Sequence, residues 1–225
     1  MSPLKSIFGQ IDIYLFDQIL RGRICPGMRI FDAGCGSGRN LVFFLREGYE
    51  VYGADSDAQA VARTRHLSTS LAPGLPTANF RVEPIEAMSF PDAFADVVVL
   101  SAVLHFARDT DHFTSMLYGA WRVLRPGGLF FCRLASSIGM EGRVKQIAGE
   151  RYLLPDGSER YLVNEQVLMN LTGQLGGELL DPLKTTIVQD QRSMTTWVLR
   201  KDTGTRAESV GKGLKERVKT KWKGL

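Results

Sequence analysis

The chain has 225 residues, 44% of them hydrophobic, enough for one sizeable core. Its formal net charge of +4 is uneven: residues 201–225 hold eight Lys/Arg against three acids, so the first 200 residues sum to −1. The body therefore has no basic surplus of the kind that marks a nucleic-acid binder. No apolar run reaches the roughly 18–20 residues that span a bilayer, and MSPLKSIFGQ lacks the basic-then-apolar pattern of a secretory signal. Cys25, Cys35 and Cys132 are odd in number and have no metal-ligand spacing. The expectation is a cytoplasmic protein with reduced thiols, no metal and no membrane partner.

Residues 10–21 place Ile11, Tyr14, Leu15 and Ile19 on one helical stripe, and ICPG then breaks the chain. MRIFDAG reads as a buried strand, followed by a glycine turn and a helix near 39–47 that Gly48 ends as a left-handed cap. EVYGAD is a second strand ending at Asp55; residues 57–70 suit a helix. NFRVEPI is a short strand, and DVVVLS (96–101) is an unbroken β-branched run, the pattern of a central parallel strand buried on both faces. Residues 109–124 read as a helix closed by RPGG, and GLFFCRL as the next strand. YLLPDGSERYLV joins two apolar-aromatic runs through Asp-Gly, a hairpin signal. Asn164 is an N-cap with Glu165 in the first turn. LLDPLKTTIVQD and SMTTWVLRK are two late strands around a polar connection at 190–193.

Strands alternating with helices predict a doubly wound α/β fold with a mostly parallel, seven-stranded sheet. The two consecutive late strands predict an antiparallel edge. Ligands of such sheets bind beyond the carboxyl ends of the strands.

The first of those ends carries FDAGCGSGRN, with glycines at 34, 36 and 38. A dinucleotide turn spaces its glycines G-x-G-x-x-G. Here the third comes one residue early and position 39 is Arg. The phosphate-loop pattern is absent as well. Asp55, 21 residues after Gly34 and at a strand end, suits a pair of ribose hydroxyls. A glycine turn plus a ribose acid without a phosphate site points to a nucleoside.

RIFDAGCGSGRN…GYEVYGADSD resembles the first two motifs of the class I S-adenosylmethionine-dependent methyltransferases. FPDAFADVVVLSAVLH is similar to the fourth-strand region of that family, and RVLRPGGLFF to its helix–turn–fifth-strand signature. The likeness covers about residues 25–135, and GCGSGRN with GYEVYG resembles small-molecule members, including the tellurite-resistance methyltransferase group. The resemblance implies a Rossmann-like methyltransferase fold and S-adenosylmethionine as cofactor. It implies that Asp32 fixes the cofactor's ammonium, that Gly34, Cys35, Gly36 and Gly38 approach its methionine part, and that Asp55 binds the ribose. Asn40, Ser56 and Ser101 complete the expected contacts, with the alternative that Asn40 is structural and that Ser56 and Asp57 only cap a helix. The family's adenine-binding acid falls here on Pro84, so backbone amides at Ile85 and Glu86 are the expected adenine partners.

Three residues are catalytic candidates: His105 after the fourth strand, Tyr14 on the N-terminal helix and Arg133 in the fifth strand. Each has a plainer reading: His105 as a half-buried histidine over the cofactor, Tyr14 as core or lid, Arg133 as an exposed, solvated arginine. His66 and His112 read as surface residues. Residues 1–24 are expected to form a lid on a single domain of residues 1–200, and 136–163 a substrate-pocket insertion whose arginines, Arg133, Arg151 and Arg160, are either solvated or hold an anion. The tail 201–225, with Leu214, Val218 and Trp222 at helical spacing, reads as a flexible extension. The expected activity is methyl transfer to a small-molecule acceptor. The alternatives are a cofactor-binding module without turnover and an RNA- or protein-directed methyltransferase using the tail.

Overall fold

The computed structural model describes residues 3–204; the tail positions Leu214, Val218 and Trp222 lie outside the described residues. In chain order the elements are α1 (Pro3–Phe8), α2 (Ile13–Leu20), β1 (Arg29–Ala33), α3 (Val42–Arg46), β2 (Glu50–Asp55), α4 (Ala58–Leu71), β3 (Phe80–Val82), β4 (Ala95–Ser101), α5 (Thr110–Val123) and β5 (Leu124–Ala135). Then follow β6 (Lys145–Ala148), β7 (Arg151–Leu153), β8 (Glu159–Tyr161), α6 (Glu165–Gln174), β9 (Gly177–Leu179), β10 (Lys184–Val188) and β11 (Arg192–Lys201).

The main sheet runs β10-β11-β5-β4-β1-β2-β3, with β9 added beside β11 as an eighth strand. The central run is parallel, and β11 lies antiparallel to both β5 and β10. The expected antiparallel edge is thus the β10–β11 hairpin, turning through Gln189 and Asp190 at positive φ. Successive residues of β4 feed opposite layers: Val98 and Leu100 pack with α5 and α6 residues such as Leu117 and Leu168, Val97 and Val99 with Leu15, Phe44 and Val61. A strand buried on both faces reads as an unbroken apolar run for this reason.

Four differences from the sequence reading are local. The first helix starts at Ile13, because Asp12 accepts the Tyr14 N–H and caps it; Ile11 precedes it, and α1 forms separately. The helix after the glycine turn is only Val42–Arg46, with Gly48 left-handed just beyond it. The hairpin β7–β8 gains a third strand, β6. The short β9 is also additional. None of the described helices is long and apolar enough to cross a membrane.

The strand order reverses between β4 and β1, which is where α/β sheets open a crevice for ligands.

Candidate active site

A cavity of about 830 Å3 opens at the carboxyl ends of β1, β2 and β4. Its floor is the glycine turn. Gly34, Gly36 and Gly38 have φ of +80°, +53° and +78°, a backbone region costly for other residues. A Cβ at Gly34 would stand 2.5 Å from Val103, and one at Gly38 2.9 Å from Leu67, whereas Gly36 faces open space. Gly34 and Gly38 therefore let the turn pack against its neighbours, and Gly36 clears room for a ligand. The α4 helix braces the turn: Thr64 Oγ1 donates to the Gly36 carbonyl at 2.8 Å and Arg63 Nε to Ser37 Oγ at 2.9 Å.

Asp55 stands on the cavity wall. The N–H groups of Gly36 and Asp57 donate to its two oxygens, each at 2.9 Å, which fixes the carboxylate while leaving lone pairs toward the cavity. Ser56 also lines the cavity, and Asp57 caps α4 by accepting the Gln59 N–H. Asp32 sits behind the floor, 2% exposed. It accepts no hydrogen bond from any described residue. Burial raises its pKa to about 8, with Arg39 opposing and Asp55 adding to the shift. An acid left in this state suits a cationic partner, which would restore its ionised form.

Pro84, Ile85 and Glu86 form the facing wall. Glu83 is turned away, accepting from the Ser89 N–H and hydroxyl at 2.9 and 2.6 Å. Glu86 is therefore the acid at this wall. His112, expected on the surface, also lines the cavity. Its Nδ1 accepts the Arg108 N–H at 3.2 Å, so Nε2 carries the proton toward Glu86 Oε1, also at 3.2 Å. Val103, Phe106 and Met116 give apolar cover.

Asn40, Ser101, Gly34 and Cys35 complete the expected lining that is found; Asp32 and Gly38 stand outside it. Asn40 is structural as well, accepting the Asp12 N–H at 3.0 Å. Cys35 is buried, and burial pushes its thiol pKa up, so it stays protonated. Arg39 was legible only as a departure from the dinucleotide pattern; it lines the cavity and donates to Ser101 Oγ at 3.0 Å. Gln10 and Arg108 also line it, and no motif marks either.

The three catalytic candidates stand in different surroundings. His105 is buried, and burial, aided by Arg160, lowers its pKa to about 4. Its Nδ1 accepts the Ala135 N–H at 3.3 Å, leaving Nε2–H as a donor. Tyr14 lines neither this cavity nor the next; its hydroxyl bonds Thr186 Oγ1 at 2.8 Å, and its ring lies 5.4 Å beneath the Arg133 guanidinium. Arg133 donates to the fully buried carboxylate of Asp12 at 2.8 Å. That ion pair ties the start of α2 to β5, and the sequence gives no local sign of it.

A second cavity, of about 260 Å3, lies past Ala102, which lines both. Ala102 has φ +64°, a strained conformation for a residue with a side chain. The β7–β8 hairpin supplies Leu154, Asp156, Ser158 and Arg160 to this second cavity, and β5 supplies Arg133. Arg151, the third arginine of interest, instead ties the hairpin down through the Ala107 carbonyl at 3.1 Å and Glu159 at 3.0 Å.

Comparison with known proteins decides what this architecture is. Residues 31–132 match the model of a methyltransferase-domain family. A probable S-adenosylmethionine-dependent methyltransferase of Mycolicibacterium smegmatis is 33% identical over 106 residues, 47% of this chain and 37% of that protein. A ubiquinone biosynthesis O-methyltransferase of Sinorhizobium medicae is 27% identical over 161 residues, 69% of this chain and 62% of that protein. The match thus spans less than two thirds of either relative. The Burkholderia thailandensis 1,6-didemethyltoxoflavin N1-methyltransferase, solved with its substrate and S-adenosylhomocysteine, shares the fold at TM-score 0.65 and 18% identity, over 86% of this chain and 80% of that one. Residues 31–132 thus match a methyltransferase domain, and the chain is similar to S-adenosylmethionine-dependent methyltransferases. The cavity has chemistry complementary to S-adenosylmethionine, the cofactor named for the Mycolicibacterium relative: an unpartnered buried acid, open space at Gly36 and a fixed carboxylate at a strand end.

Proposed function

We propose that this chain transfers a methyl group from S-adenosylmethionine to a small-molecule acceptor lodged between β5 and the β7–β8 hairpin. The observation that carries this reading is the pair of cavities meeting at Ala102, the outer one walled by the hairpin. A recess of about 260 Å3 is of a size to admit a small organic group. Two of the compared relatives act on small molecules, as their names state.

S-adenosylmethionine supplies an electrophilic methyl group on a sulfonium. The chain's own residues bind and align. Asp32 takes the methionine ammonium and Arg39 offers a guanidinium to the carboxylate. Asp55 accepts from the ribose hydroxyls. Ile85 and Glu86 meet the adenine, and Val103, Phe106 and Met116 keep water from the reacting atoms. Because burial keeps His105 neutral and the Cys35 thiol protonated, proximity and alignment do the catalytic work. The acceptor atom is then one already nucleophilic at neutral pH, such as sulfur, selenium or another soft anion.

The test is incubation of the chain with methyl-labelled cofactor and a metabolite extract. Label appearing in small molecules supports the proposal. Cofactor binding with no transfer would establish a binding module instead, and label in RNA or protein would move the acceptor to a polymer.

A further inference from the structure

The second cavity is rich in hydrogen-bond donors and poor in acceptors. Arg133, Arg160 and Arg192 line it together with His105 and Ser158, against a single acid, Asp156. The charges do not cancel. Arg133 is matched by Asp12 at 2.8 Å, outside the cavity lining. Arg192 lies 4.0 Å from Asp156. Arg160 donates to the Glu159 carbonyl at 2.7 Å and covers the Phe106 ring at 4.9 Å, and among the described residues no carboxylate lies within ion-pair distance of it. Asp156 is held ionised by hydrogen bonds from Ser158, with Arg192 and Arg160 reinforcing them. The cavity is therefore short of one negative charge.

Two donors on these lining residues have no hydrogen-bond partner among the described residues. Arg133 Nε is buried with no hydrogen bond, a state that costs free energy until an acceptor arrives. The neutral His105 ring presents Nε2–H, since Nδ1 is taken by the Ala135 amide. Two guanidinium forks, an imidazole N–H and a net charge of one fit a planar monoanion that accepts several hydrogen bonds.

We propose that the methyl acceptor carries a carboxylate, and that Arg160 and Arg192, with the His105 N–H, anchor that carboxylate in the second cavity. The receiving atom then belongs to another part of the same molecule, reaching past Ala102 into the cofactor cavity. In the transfer, the acceptor's lone pair forms the new bond to the methyl carbon. The carbon–sulfur bond breaks with its electron pair staying on sulfur, and any proton on the acceptor atom passes to water. This inference rests on the small-molecule reading above and narrows it to one class of acceptor. Ala102 suits the role of threshold, since it lines both cavities at a strained backbone position.

The test separates the two claims. The chain saturated with S-adenosylhomocysteine is titrated calorimetrically with benzoate and propionate, with their neutral amides, and with inorganic phosphate. The expected result is carboxylate binding at least tenfold tighter than amide binding and tighter than phosphate binding. In Arg160→Gln and Arg192→Gln the preference falls about tenfold, Arg160→Lys restores part of it, and S-adenosylhomocysteine affinity stays unchanged. Equal binding of carboxylate and amide, with S-adenosylhomocysteine still bound, overturns the anchor and leaves the proposed function standing. Stronger phosphate than carboxylate binding overturns the monoanion assignment. Failure to bind S-adenosylhomocysteine overturns the cofactor reading itself. In turnover, labelled products that are carboxyl methyl esters would also overturn the anchor, because the anchored carboxylate is not the group that is methylated.

Discussion

The two sides of the cleft are built from different materials. The cofactor side is largely backbone: a left-handed glycine turn, amides that fix Asp55, and a 3-10 turn at Ile85–Ala87. The side proposed for the acceptor is made by side chains from segments far apart in sequence, such as His105, Arg133, Arg160 and Arg192. A backbone site needs particular residues at fixed local spacing, so it leaves a motif. A side-chain site needs only that distant residues meet, so many sequences can build one. The difference predicts that lesions on the first side damage folding or cofactor binding, and lesions on the second damage acceptor recognition alone.

The largest effect is expected at Gly34→Ala. The new Cβ would sit 2.5 Å from Val103 at φ +80°, which costs roughly 2–4 kcal/mol. Thermal denaturation should show a melting point about 5–15 °C lower. Adding Val103→Ala relieves the clash and leaves the backbone strain, so it should recover part of the loss. Wild-type stability in the single variant would break the claim that the turn is a backbone device.

Asp32→Asn comes next, and its two effects have opposite signs. Removing the carboxylate should weaken S-adenosylhomocysteine binding about 10- to 100-fold, the loss of a hydrogen bond to a charged group. The free protein should become more stable. A folded pKa of about 8 lies above the ordinary 3.8, so wild-type stability from this group is full below pH 4 and is lost as the pH rises to 8. The variant's advantage in melting point should therefore grow from pH 5 to pH 8. An advantage that shrank over that window would show that Asp32 is not a strained acid.

These two residues show what a reader of the sequence could and could not see. Gly34 and Asp32 stand in FDAGCGSG, and strand ends with glycine turns carry their spacing openly. The parallel core was legible for the same reason, since β4 must be apolar on both faces. Asp32's isolation was not legible, because spacing says nothing about which neighbours are missing. His112 was misplaced because helical position says which face a residue takes, not whether a turn from another segment covers that face; Glu86 does so here. Tyr14 and Arg133 were placed near the site, but their partners lie 172 and 121 residues away in sequence. No local pattern announces such pairs.

Cofactor affinity should also follow the ionisation of Asp32. The cofactor ammonium needs the carboxylate form, so below pH 8 binding must expel a proton. Affinity for S-adenosylhomocysteine should rise with pH by up to about tenfold per unit between pH 6 and 8 and level off above. The slope should vanish in Asp32→Asn. A pH-independent wild-type affinity would place the ammonium elsewhere.

The smallest effect concerns the acceptor side, where the contrast is tested most directly. Arg151 links the hairpin to the Ala107 carbonyl and to Glu159, and Ala107 directly follows the turn that carries His105 and Phe106. Arg151→Ala loosens two walls of the second cavity together. Both Arg151 and Glu159 are partly exposed, so the loss of stability should stay within about 1 kcal/mol. Neither residue lines the cofactor cavity, so S-adenosylhomocysteine affinity should not change. What should change is the acceptor term: KM for the small-molecule acceptor rises roughly three- to tenfold, with a smaller fall in kcat, because ground-state and transition-state binding are lost together. An unchanged KM with weakened cofactor binding would reverse the assignment and make the hairpin part of the cofactor's enclosure.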